Sequence, residues 1–309
     1  MGQENKIVSL EYAASLIPDG ANISLSGFAE TNNPMSFARQ MIRAGKKHLE
    51  ISGMGDAQSV ELLCGADAID RVRLSNYMAR NGRCPNFCRA VESGRIQTED
   101  YSHFGITNRF FAAAMGIPFM PVRSMIGSDL ANVQTFDYGN KIREMADPFT
   151  GELCGIVPQL SPDFAIIHVA RADCEGNAQL YGITSSIEII ARAAKKVIVT
   201  AEELVTTDVI RASNQFTILP SFFVDYVVHA PYGAYPGGVF TYYDYDLEHL
   251  ELATRSGKSP EKMRAYLEEW IYGTGNETAF LEKVGLRKLM ALRADPASGV
   301  SLRNRGFWE

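Results

Sequence analysis

Three apolar runs constrain the fold of this chain more than any other feature. They are Asp163-Phe-Ala-Ile-Ile-His-Val169, Lys196-Val-Ile-Val-Thr200 and Asp225-Tyr-Val-Val-His-Ala230. Each is continuous rather than alternating. A strand covered on both faces reads this way, whereas a half-solvated strand alternates apolar with polar residues. Between the first two stands Ser185 to Ala194, which reads as a helix. Buried strands separated by helices make an open, largely parallel sheet with helices on both faces. The fold class expected is therefore α/β.

The N-terminal half repeats the alternation. Ser9 to Ile17 reads as a helix with Ser9 as N-cap, closed by Pro18-Asp19-Gly20. Asn22 to Ser26 reads as a strand ending at Gly27-Phe28. Asn33-Pro34 then opens a helix, with Asn as cap and Pro at the first helical position. His48 to Ser52 is the next strand, ending in Gly53-Met54-Gly55. A short helix covers Ser59 to Cys64, and Ile69 to Tyr77 is a third strand. Pro85 to Val91 and Tyr101 to Met115 read as helices. Ser124 to Gln159 is rich in Gly, Asp, Asn and Pro and reads as loops with short strands near Cys154 to Val157. Ala172 to Asn177 reads as a turn between two strands. Glu202-Glu203 either edges a cleft or opens a helix. From Leu247 onward the pattern is helical, near Ser259–Tyr272 and Glu277–Val284. The organisation expected is one α/β domain over residues 1–246 and a helical extension, 247–309, packed on it.

In such sheets ligands bind outside the carboxyl ends of the strands. Gly27, Gly53-Met-Gly55, Asn81-Gly82 and Gly127-Ser128 gather there, so that edge is the expected site. Composition narrows what it holds. Lys plus Arg is 30 against 36 Asp plus Glu, a net charge of -6, which argues against general nucleic-acid binding. A DNA-binding regulator would need a basic recognition helix, and neither end supplies one. No apolar run reaches about 18 residues, so no membrane span is expected. The N-terminus lacks a basic segment followed by an apolar one, and the five cysteines are odd in number and scattered. Both point to a cytoplasmic, reducing location.

Motifs of other chemistries are missing. There is no G-x-x-x-x-G-K-[ST], no G-x-G-x-x-G after a strand, no H-E-x-x-H and no G-x-S-x-G. Cys84 and Cys88 lack nearby ligand-type partners, so no metal site is expected. His168 and His229 lie in or at the end of apolar strands and read as satisfied strand histidines. His103 differs. It stands on a polar helix start, Glu99-Asp100-Tyr101-Ser102-His103, ahead of a long apolar helix. It reads as an exposed first-turn residue or as a side chain facing the strand-end cleft, where it could move a proton near neutral pH.

Taken together, ordered segments of the chain resemble one family. They are Ser26-Gly27-Phe28 with Asn33-Pro34; Gly116-Ile-Pro-Phe-Met-Pro-Val-Arg123; Gly127-Ser128; Ser161-Pro-Asp-Phe-Ala-Ile-Ile-His168; Ala172-Asp173 with Gly176-Asn177; Lys196 to Glu203; and Val224 to Ala234. In order and at matching spacing these are similar to the A (α) chains of family I CoA-transferases of the glutaconate CoA-transferase type. The resemblance spans about Leu10 to Asp246.

The resemblance implies an enzyme subunit, inactive alone, that pairs with a homologous B (β) chain as A2B2 or larger. It implies coenzyme A and an acyl-CoA as substrates, a carboxylic acid as acceptor, and no permanently bound cofactor. In these transferases a B-chain Glu in E-x-G-x-x-G attacks the thioester carbonyl and expels CoA thiolate, leaving a mixed anhydride. The thiolate then takes the glutamyl carbonyl, and an acid substrate finally receives the CoA. Covalent catalysis divides one hard exchange into easier ones. The only E-x-G here is Glu92-Ser-Gly94, with Gln97 where the last Gly would fall, so the nucleophile is not expected in this chain. The A chain is implied to shape the acyl pocket and donate hydrogen bonds. The residues implied to bind substrate are Gly27, Phe28, Tyr77, Arg80, Asn81, Gly127 and Ser128. Asn81 and Ile126 stand where the glutaconate enzyme has Ser and Gln. Two relatives with the same A-chain pattern run other reactions. One is a CoA-linked ring-opening hydrolase of steroid degradation, and the other a decarboxylase of a glutaconyl-CoA type thioester. His103 falls at the hydrolase's catalytic acidic position and is the candidate catalytic base of this chain.

Overall fold

A computed structural model describes residues 5–77, 84–132, 134–137, 139–295, 297–299 and 301. The first half contains α1 (Leu10–Ser15), β1 (Asn22–Leu25), α2 (Met35–Arg43), β2 (Leu49–Gly53), α3 (Ala57–Gly65), β3 (Ile69–Leu74), α4 (Pro85–Glu92), β4 (Gln97–Asp100) and α5 (His103–Ala114). A second group is short and extended: β5 (Phe119–Val122), β6 (Gln134–Thr135), β7 (Gly139–Asn140), β8 (Arg143–Ala146) and β9 (Leu153–Pro158). The chain then returns to the main sheet with β10 (Phe164–Ala172), β11 (Ala178–Gln179), α6 (Ile187–Ala193), β12 (Lys196–Leu204), α7 (Thr207–Ala212), β13 (Thr217–Leu219) and β14 (Tyr226–His229). Four α-helices, α8 (Leu247–Ser256), α9 (Pro260–Leu267), α10 (Glu277–Val284) and α11 (Leu286–Leu292), follow, with a π-helical turn over Glu268–Tyr272 continuing α9.

The main sheet runs β14-β12-β10-β1-β2-β3-β4, with every neighbouring pair parallel. Strands β11 and β13 extend it antiparallel beyond the end of β10. Strand order grows outward in both directions from the β1–β10 pair. That pair is the topological switch point, where connections leave to opposite sides and open a crevice at the carboxyl edge. The three apolar runs are β10, β12 and β14, as expected of strands covered on both faces. Ile166, Ile167, Val169, Ile198 and Val199 are fully shielded from solvent. One face of the sheet packs with α2, α3, α9 and the residues after α9 around Phe37, Met41, Leu63, Tyr266 and Ile271. The other packs with α5, α6 and the small antiparallel sheet around Phe110, Val157, Ile187 and Ile190.

Several local expectations need correction. Asn33 does not cap α2. Pro34 occupies the cap position, and the Asn33 amide donates back to the carbonyls of Ala29 (2.9 Å) and Thr31 (3.2 Å). Strand β3 ends at Leu74, so Tyr77 lies beyond it. In 124–159 the short strand expected near Cys154 to Val157 is β9, and it is joined there by β8 and from outside the segment by β5 in a three-stranded antiparallel sheet, β5-β9-β8. Polar β4 forms the sheet edge because Glu99 is paired across the strand to buried Arg73, Nε to Oε2 at 3.2 Å. Strand β12 runs four residues past Thr200 to Leu204, so Glu202 and Glu203 are strand residues and neither opens a helix. The expected turn at Ala172–Asn177 is present, with Asp173 accepting from the amides of Glu175 and Asn177.

Candidate active site

The switch-point crevice is built from the ends of β1, β2 and β3 on one side and α5 and α6 on the other. Gly27 closes β1 with φ +129°. A side chain there would place Cβ 2.6 Å from Asn33 Oδ1, so both conformation and space demand glycine. The following residues fold into a tight loop in which Phe28 and Thr31 exchange backbone hydrogen bonds of 3.0 Å. Ser26 fixes its base, accepting from His168 N (2.9 Å) and donating to Asn32 O (2.7 Å). The ring of Phe28 is left 47% exposed at the mouth.

Under this loop lies β2's end. Asp56 sits 3% exposed against Gly53, where no Cβ would fit. Burial pushes its carboxyl up to about 7, against the pull of the Asp56 and Gly55 amides. Its Oδ2 has no hydrogen-bond partner among the described residues, and neither do Asn33 Oδ1 and Gln58 Oε1. Asn33 and Gln58 both donate their amide groups to one carbonyl, that of Ala29.

Helix α5 supplies the opposite wall. Ser102 caps it, accepting from Gly105 N at 2.9 Å. Its inner face is bolted down by fully buried Arg109, which donates to Pro158 O (3.0 Å) and Tyr101 Oη (2.6 Å). Four-residue spacing then turns His103, Thr107 and Phe111 outward together. These line a cavity of about 490 Å³ with Phe28, Met54, Met115 and the start of α6. His103 Nδ1 lies 3.0 Å from Ser75 Oγ at the end of β3, which orients the ring. Nε2 has no partner among the described residues. Thr107 Oγ1 meets Met54 Sδ at 2.9 Å.

The structure thus brings Phe28 and His103 to one cavity, with Gly27 at the base of the loop that carries Phe28. Gly127 and Ser128 form an exposed turn beside the start of α5. That turn is anchored by Ser124 on Ser102 (3.1 Å) and by buried Met125 beneath Gly105, but it does not line the cavity. Tyr77 points elsewhere. Its hydroxyl donates to Ala57 O (3.2 Å), its ring packs on Phe87 at 4.2 Å, and burial holds the phenol well above its ordinary range. Arg80 and Asn81 lie outside the described residues. Sequence reasoning did not single out Phe111, Met115 or Ile189. The signal available was the number of apolar residues in α5, more than one buried face can use.

A second polar cluster stands behind β10. His168 Nε2 meets Glu202 Oε1 at 2.7 Å, and its Nδ1 meets Thr200 Oγ1 at 2.8 Å. Glu202 also accepts from Tyr243 Oη (2.5 Å), Gly233 N (3.0 Å) and Tyr232 N (2.6 Å). His168 is the satisfied strand histidine expected of it. Among the described residues no group of three or more His, Cys, Asp or Glu could hold a metal, and no helix is long and apolar enough to cross a membrane.

Residues 7–230 match the family model for Coenzyme A transferase. The chain is 31% identical over 312 residues to the A chain of glutaconate CoA-transferase from Acidaminococcus fermentans, covering 96% of this chain and 97% of that one. The crystal structure of glutaconate coenzyme A-transferase from that organism superposes with a TM-score of 0.90 at 30% identity, over 97% and 99% of the two chains. A protein of Archaeoglobus fulgidus is 35% identical over 94% of this chain, which spans 66% of that protein's length. A cholesterol ring-cleaving hydrolase subunit of Rhodococcus jostii is 25% identical over 90% and 95% of the two chains. A variant of the decarboxylase AibA/AibB superposes with a TM-score of 0.74 at 30% identity, covering 85% of this chain and 99% of that one. The cavity at the switch point therefore belongs to a CoA-transferase fold, and the chain is a member of the coenzyme A transferase family.

Proposed function

We propose that this chain is the A (α) subunit of a heteromeric acyl-CoA:carboxylate CoA-transferase of the glutaconate type. It works in the cytoplasm with a homologous B chain as an A2B2 or larger complex, with coenzyme A and its thioesters as substrates and no resident cofactor. The observation that carries this reading is the end-to-end likeness to the A chain of the glutaconate transferase, in sequence and in backbone. The placement of Glu92 supports assigning the nucleophile to the partner. It ends α4, which leads back to the amino end of β4, away from the carboxyl edge. This chain's own residues then hold the acyl group against the α5 wall, with Gly27 and Phe28 shaping the loop beside it. His103 and Thr107 are the polar groups on that wall, placed to orient a thioester carbonyl.

A second reading is favoured by one observation. His103 Nδ1 lies 3.0 Å from Ser75 Oγ, so in the tautomer that donates from Nδ1 to this hydroxyl Nε2 can take a proton in the cavity. That is the arrangement of a general base, and it suits a ring-opening hydrolase or a decarboxylase of CoA thioesters on this scaffold. Mass spectrometry of the native complex after incubation with acyl-CoAs and borohydride separates the two. The transferase reading expects a CoA-linked or reduced glutamate on the partner chain, and a His103→Gln complex that keeps its turnover within about tenfold. Turnover with no adduct, together with a loss of about 10²–10⁴-fold in His103→Gln, overturns it in favour of the second reading.

A further inference from the structure

The cavity is not evenly polar, and its asymmetry constrains the acyl group. Its volume of about 490 Å³ falls within the usual span for small-molecule sites, roughly 300–1,000 Å³. The polar end is His103 with Ser75 behind it. Phe28, Met54, Phe111, Met115 and Ile189 make up most of the remaining wall, with Ser185 and Ser186 just before α6 as further polar groups. Phe28 is 47%, Phe111 46% and Met115 59% exposed in the chain by itself. Large apolar side chains gathered around one concavity mark a surface built to be covered.

Two charged residues line the cavity, Glu188 and Arg192 on α6. They lie one helical turn apart and pair with each other at 2.5 Å. The Arg192 guanidinium also lies 5.2 Å from the Phe223 ring, outside the cavity lining. Arg192 is the one arginine or lysine among the described lining residues, and it is already paired with Glu188. A second carboxylate placed there would lose hydration and would have to displace Glu188 from Arg192 to gain a cation. An alkyl, aryl or alicyclic group loses nothing polar and covers the exposed rings.

Building on the reading above, we infer that this subunit selects acyl groups with an apolar, bulky distal end rather than the distal carboxylate of a dicarboxylic acid, and that Phe111, Met115 and Ile189 set this preference. The occupant is the acyl moiety of the thioester. Its reactive carbonyl lies toward His103 and its distal carbons lie between α5 and α6.

The test uses the complex purified from its native cells and two thioesters, cyclohexanecarboxyl-CoA and glutaryl-CoA. Both kcat/KM and calorimetric dissociation constants are measured. The expected result is at least a tenfold preference for the cyclohexane thioester, reduced or inverted by Ile189→Lys, which introduces an unpaired cation. Met115→Glu should weaken the cyclohexane thioester by a similar factor. A wild-type preference for glutaryl-CoA overturns the inference. So does a preference for the cyclohexane thioester that neither variant moves, the result expected if partner side chains fill the groove. If neither thioester turns over, the ratio of dissociation constants still decides the preference. If neither binds, this inference is overturned, while the CoA-transferase reading is judged separately by the glutamate adduct on the partner chain.

Discussion

Two buried carboxyl groups sit near the carboxyl edge of the same sheet, and their surroundings differ sharply. Glu202 on β12 uses both oxygens, accepting from two backbone amides and Tyr243 and meeting His168. Asp56, beyond β2, leaves Oδ2 without a partner among the described residues, next to similarly orphaned oxygens on Asn33 and Gln58. The first cluster clamps the loop after β14 and rigidifies it. The second lies beneath the loop that presents Phe28 to the cavity. Fully satisfied polar networks specify one structure, whereas buried unsatisfied groups gather where a site holds strain or awaits a ligand or water. The same loop carries positive φ at Ala29 (52°) and Asn32 (56°), an uncommon backbone for side-chain-bearing residues. Satisfied and unsatisfied buried polarity thus lie along one sheet edge.

The largest test of this contrast is Glu202→Ala, which strands His168, Tyr243 and two amides at once. It should cost about 3 kcal/mol or more, read as a lower denaturant midpoint at unchanged m. Gly27→Ala presses a methyl group on Asn33 in a conformation that L-residues avoid. It should cost about 1–3 kcal/mol and lower turnover of the complex, since it displaces Phe28. Asp56→Asn should act in the opposite direction, and its size depends on pH. The folded carboxyl titrates at about 7 rather than 3.8, so the fold prefers it protonated. The cost of ionising it is absent below about pH 4, grows as pH rises, and is complete once pH passes about 7. The neutral amide removes that cost. Thermal melts should show the Asp56→Asn variant with a raised Tm at about pH 8 and a nearly unchanged one near pH 4, and equal effects at both values would remove the distinction drawn here. The smallest effect belongs to Thr200→Val, which removes one neutral partner of His168 and should cost about 1 kcal/mol.

Legibility in the sequence followed the physics of each element. Strands β10, β12 and β14 declare themselves because burial on both faces leaves an unbroken apolar run. Ser9 and Ser102 sit where helix-capping chemistry places them. Asn33 misled because its amide can satisfy either a helix end or loop carbonyls, and the Ala29 and Thr31 carbonyls won. Residues Ala201 to Leu204 looked like the end of a strand because two are acidic. Arg171 lies directly opposite Glu203 and His168 faces Glu202, so the neighbouring strand supplies the partners that keep the ladder going. Polar β4 stayed hidden for the same reason, since Arg73 on β3 accounts for Glu99.

The site divides along the same line. The chain's own order of residues determined an α/β sheet, its carboxyl edge as the place to look, Gly27-Phe28 as a loop of special geometry and His103 as a helix-start residue. These rest on local backbone chemistry and on periodicity, which neighbouring residues specify. Tertiary structure alone decided that His103 shares a cavity with Phe111, Met115 and Ile189, that Tyr77 turns away to Ala57, and that Asp56 is buried without a partner. Each of these depends on which residues distant in the chain are packed side by side, and that is fixed by the order of strands around the β1–β10 switch point.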